Sequence, residues 1–199
     1  SLPAGWTNTG ESVDGTTETT TLGEIAITTT TTALANQNFG IEQLPETSAV
    51  TATAMPNTNG DTPLASTPLA GTDADGTVAS FKIVTIPAAT EGVLEWDDDN
   101  NAATPPVAVT VGQVISVARA DSLFFGPAPT FIGNATFTYT AVDNAGEEDP
   151  TPAAYTIPVT APTTVTVAGR VWSDADGDIT QNGTEAGTNA GSSTLTVYA

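Results

Sequence analysis

The sequence predicts an all-β protein, built from immunoglobulin-like β-sandwich modules in tandem with very little helix. Three observations carry that reading. Between residues 46 and 162, segments with apolar residues at every second place are separated by clusters of Gly, Pro, Asp and Asn. No stretch longer than a turn or two repeats its apolar residues at helical spacing, and 14 prolines are spread along the 199 residues. Threonine tracts and other β-branched runs favour extended chain over helix.

Composition narrows the function. The net charge is −20, from 23 acids against Lys82, Arg119 and Arg170. That balance argues against nucleic acid and anionic membranes as partners, since both demand basic patches. Cys and His are absent. Disulfides, zinc sites and triads built on imidazole or thiolate therefore fall away, and no enzymatic activity is expected. The apolar runs fall far short of the roughly 20 residues a bilayer span needs, so no membrane insertion is expected. No signal peptide is expected within the sequence at Ser1, and a start without Met reads as processing or excision.

Taken in order, the chain opens with threonine tracts at Thr16–Thr21 and Thr28–Thr32 around Glu24–Ile27, which predict strands at about Glu18–Leu22 and Glu24–Thr32. Phe39 and Ile41 mark a further strand, and Leu44–Pro45 begins a linker. Turn clusters at Pro56–Asp61, Thr72–Gly76, Asp97–Pro106, Gly126–Pro129 and Asp143–Pro152 then divide the middle of the chain. The best strands between them are Val78–Ile86, Gly92–Trp96, Val107–Val111, Val114–Ala118, Ala135–Val142 and Ala154–Val159. In Ala135–Val142 the alternation puts Phe137, Tyr139 and Ala141 on one face and Thr136, Thr138 and Thr140 on the other. Lys82 shares a face with Ser80 and Val84 and is expected to point to solvent.

The main candidate site lies near the end of the chain. Asp174, Asp176 and Asp178 stand at positions 1, 3 and 5 of a twelve-residue loop, Thr180 at 7, Asn182 at 9 and Glu185 at 12. Alternate oxygen-bearing side chains at this spacing can converge on calcium, and three neighbouring carboxylates would repel one another without a cation. Ile179 occupies the place where an EF-hand has Gly, and the flanks Thr164–Trp172 and Thr194–Ala199 read as strands, so the loop is expected to join strands.

Two resemblances add to this. The run GRVWSDADGDITQNGTEAG, Gly169–Gly187, resembles the opening of the B-type repeats of serine-aspartate adhesins and of related collagen-adhesin modules. Ser1–Glu42, from LPAGW to ANQNFGIE, resembles the closing half of the same kind of module. In the middle, GTDADG (Gly71–Gly76), TFTYTAVDNAG (Thr136–Gly146) and AYTIPV (Ala154–Val159) resemble the cadherin-like, immunoglobulin-like tandem repeats of large bacterial adhesins. The organisation expected is the back half of a B-type sandwich at 1–44, a whole sandwich at 45–162, and the front half of a B-type sandwich with its calcium loop at 163–199. The cadherin-like resemblance implies a weaker calcium site on Asp73, Asp75 and Asp143, near Glu147; the alternative is that the DADG acids cap their own turn.

The function expected is that of a structural repeat or subunit of an extracellular bacterial surface fibre or adhesin, stiffened by calcium. Its partners would be copies of itself or neighbouring repeats. The chain is either a window of a tandem array or a subunit that polymerises head to tail, the split terminal sandwich being completed by β-strand addition. The alternative is an adhesin module that binds carbohydrate or a host surface ligand.

Overall fold

Strict alternation in two long strands sets the middle of the structure, a computed structural model in which residues 2–12, 23–25, 33, 35–97 and 104–162 are described. The chain divides into two units, Ser1–Pro162 and Thr163–Ala199, and every described residue belongs to the first. The predicted strands at Glu18–Leu22 and Glu24–Thr32 lie almost wholly outside the described residues.

The first two strands, β1 (Trp6–Ser12) and β2 (Asn38–Gln43), form an antiparallel ribbon bulged between Asn8 and Gly10. Five two-residue strands follow: β3 (Glu46–Thr47), β4 (Val50–Thr51), β5 (Met55–Pro56), β6 (Thr62–Pro63) and β7 (Gly71–Thr72). The longer strands are β8 (Val78–Thr85) and β9 (Gly92–Trp96). Short β10 (Val107–Ala108) and β11 (Val114–Ser116) lead through a single 3-10 turn at Val117–Arg119 to β12 (Leu123–Pro127), β13 (Gly133–Asp143) and β14 (Ala153–Thr160).

These strands make an all-β sandwich. One sheet runs β11-β8-β13-β14-β4, with β5 also on β14; the other runs β10-β9-β12-β6. Their inner faces meet in one core. Phe81, Ile83, Ile115, Phe137, Tyr139, Tyr155 and Ile157 from the first sheet pack against Leu94, Leu123 and Phe125 from the second, all nearly inaccessible to solvent. Phe137 stacks on Tyr155 with ring centroids 4.8 Å apart, and Phe81 meets Tyr139 edge-on at 5.6 Å, the offset and edge geometries that aromatic quadrupoles favour.

The alternation in β13 holds for Phe137, Tyr139 and Ala141, all buried. Thr140, expected on the wet face, is instead only 2 % exposed because Glu148 folds over it and accepts its hydroxyl proton at 2.7 Å. The same carboxylate takes Lys82 Nζ at 2.7 Å, so Lys82 points outward but is paired. Two predicted strands are shorter than expected. Gly112 adopts φ +85° in the turn between β10 and β11, and Val117 and Ala118 enter the 3-10 turn. Pro56 and Pro63, which have no N–H to give a ladder, sit in short strands at sheet margins.

Candidate metal centre

Three segments bring carboxylates to one end of the sandwich. Glu42 lies near the end of β2, Asp73 and Asp75 in the turn between β7 and β8, and Asp143 at the end of β13 with Glu147 just beyond. The pairing of β3 with β7 starts the Asp73 turn beside the link that follows β2. The turn is also stitched to the β13 end: Asn144 N–H donates to the Thr77 carbonyl at 3.0 Å, and Asn144 Oδ1 accepts the Thr77 N–H at 2.6 Å. Gly76 is required at this seam. A Cβ there would lie 2.5 Å from Asn144 Oδ1 and 2.6 Å from Asp73 Oδ2.

Asp143 is the informative member. It is 2 % exposed, and its Oδ1 accepts the N–H groups of Ala145, Gly146 and Glu147 at 2.8–2.9 Å. Its Oδ2 has neither solvent nor a hydrogen-bond partner, and the same is true of both Asp73 oxygens and of Glu42 Oε2. Buried carboxylate oxygens without donors carry a large desolvation cost, which an ion would remove. Asp75, on the exposed side, accepts the Gln43 N–H at 3.0 Å and so ties β2 to the turn.

Glu42 senses the other acids. Desolvation pushes the Glu42 carboxyl above its ordinary range, and the charges of Asp143, Asp75, Glu147 and Asp73 push it further. All the ligand atoms on offer are oxygens, the donor set of a hard cation such as calcium. As the side chains stand, however, no three acidic groups among the described residues are gathered tightly enough to hold a metal ion. Binding would have to draw them inward.

Asp73, Asp75 and Asp143, read from the sequence, thus come to the same corner, where the structure adds Glu42. The loop bearing Asp174, Asp176, Asp178, Thr180, Asn182 and Glu185 lies outside the described residues. No helix among the described residues is long and apolar enough to cross a membrane. Compared with known protein families, curated proteins and solved structures, the chain matches none.

Proposed function

We propose that this chain is a calcium-stiffened structural module of an extracellular surface fibre, an immunoglobulin-like sandwich whose job is to hold a fixed shape. The observation that carries the reading is Asp143: almost wholly buried, with one oxygen saturated by three backbone N–H groups and the other closed to solvent with no partner. The cation would draw Glu42, Asp73, Asp75 and Asp143 together and so fasten the β1–β2 ribbon to the sandwich. A site whose acids must first be drawn together fits the weak affinities of extracellular calcium modules, about 10⁻⁴–10⁻³ M, which fill only where calcium is plentiful.

Copies of the chain or neighbouring repeats are the partners this reading favours. Among the described residues the β1–β2 ribbon is a two-stranded sheet, and it leaves Phe39 58 % and Ile41 48 % exposed. A lone two-stranded ribbon is marginal in water, so added strands from a neighbour would stabilise it.

Asp143→Asn tests the cation directly. The amide keeps the Oδ1 acceptor for the three N–H groups and removes the second ligand oxygen. Calcium should raise the melting temperature of the parent chain and have a much smaller effect on the variant. Equal calcium responses in the two proteins would overturn the assignment to this corner.

A further inference from the structure

A second carboxyl pair sits on the outer face of the other sheet, where its neighbours suggest a different use. Leu94 and Phe125 point inward and are buried, so their neighbours Glu95 and Gly126 face out. Phe125 pairs with Thr62 on β6, which sets Asp61 beside Gly126. The glycine leaves a gap, and the Asp61 side chain fills it: a Cβ at residue 126 would lie 2.5 Å from Asp61 Oδ1. On the far side of β12, Glu95 pairs with Phe124. Glu95 Oε2 is closed off from solvent, and among the described residues no donor reaches it.

We propose that Glu95 and Asp61 share one proton across Gly126, forming a proton-operated clasp between β9 and the edge strand β6. With the proton present, one carboxyl donates to the other and β6 is held. With both groups charged, two anions face each other across a glycine and the edge loosens. The strand is suited to such control. It is two residues long, contains Pro63, and the following backbone bond, Leu64 N–H to the Leu123 carbonyl at 2.7 Å, is the next tie along the segment.

Among the described residues, the charges on the neighbouring elements are few. The β10 residues, Val107 and Ala108, and the β12 residues, Leu123–Pro127, contain no titratable group. The loop after β11 contributes Arg119 and Asp121, and β9 and its flanks contribute Glu91 and Asp97. Arg119 is engaged elsewhere, its Nη2 donating to the Asp97 carbonyl at 2.6 Å and standing 3.8 Å from Asp97 Oδ1. Glu91 accepts the Ala88 N–H. Desolvation, and then the Asp61 charge and hydrogen bond, push the Glu95 carboxyl above its ordinary range, in keeping with a retained proton.

The test uses the full chain at constant calcium, so that its outcome is independent of the cation centre. Side-chain carboxyl NMR should show Glu95 titrating above the usual carboxylate range, and Asp61→Asn should bring it down. Hydrogen exchange at the Leu64 amide then reads the clasp. In Glu95→Gln a permanent amide donor replaces the proton, so at each pH the parent is compared with this variant. The parent's protection should fall about tenfold relative to the variant for each unit by which Glu95 is raised, as pH climbs through its titration. Leu64 protection that tracks identically in both proteins at every pH, or a Glu95 titration unmoved by Asp61→Asn, would sink the proposal.

Discussion

The hydroxyl of Tyr139 donates to the carbonyl of Ser48 at 2.6 Å, carrying a bond from the middle strand of the larger sheet to the link between β3 and β4. The same oxygen accepts the Ala70 N–H at 3.1 Å. One buried phenol thereby satisfies two segments whose own strands are two residues long. The ring supplies apolar area to the core while its tip replaces missing sheet hydrogen bonds.

Tyr139→Phe should therefore cost about 1–3 kcal/mol in denaturant unfolding, because it leaves a half-buried carbonyl and a half-buried N–H without this partner while the ring packing is kept. Burial also pushes the phenols of Tyr139 and Tyr155 above their ordinary value of 10.0. Their contribution to stability is present below that value and lost as pH rises through the raised one, so the fold should weaken in strong alkali, less steeply in the Phe variant.

Gly92→Ala should be worse tolerated than most exposed glycine changes. Gly92 holds φ +151°, and an added Cβ would lie 2.4 Å from the Gly126 carbonyl oxygen and 2.6 Å from Phe125 Cζ. Backbone cannot move aside cheaply, so a loss of about 1–3 kcal/mol is expected in equilibrium unfolding.

Calcium at ten to a hundred times its dissociation constant should stabilise the parent chain by about 1–3 kcal/mol through mass action. Calorimetry with calcium and with chelator measures this, and Asp143→Asn should lose most of the difference.

Chelator should also reveal the pH dependence of Glu42. Its carboxyl is raised by desolvation and by its acidic neighbours, so without calcium this group's contribution to stability is fully present below the ordinary value of 4.5 and falls as pH rises through the raised value. Glu42→Gln should flatten that slope in chelator, and calcium should flatten it in the parent. A parent profile in chelator that matches the variant's would remove Glu42 from the site.

How much of this could be read from sequence depends on which physical signal each part leaves. Gly92–Trp96 and the long β8, β13 and β14 declare themselves because one face of each is buried and the other wet. β12 does not: its Leu-Phe-Phe-Gly-Pro carries consecutive apolar residues and ends in residues that look like a turn. β1 hides for the opposite reason, since Trp-Thr-Asn-Thr-Gly-Glu-Ser offers almost no apolar alternation and is defined by its pairing with β2. At the candidate centre, Asp73, Asp75 and Asp143 stand in glycine-bearing turns, a local pattern that suggests cations. Glu42 sits in a strand with no such context, and only the path of the chain after β2 brings it to them.

The way β4 and β5 lie on β14 has a mechanical consequence. Both pair with it in parallel, through bonds such as Ala52 N–H to the Thr156 carbonyl at 2.8 Å and Asn57 N–H to the Thr160 carbonyl at 2.9 Å. Parallel first and last strands put the entry and exit of the sandwich at opposite poles. A pull along that axis slides the strands past each other, so these bonds must rupture together instead of peeling open one at a time, and the sandwich resists stretching where an antiparallel pairing of the same strands would unzip.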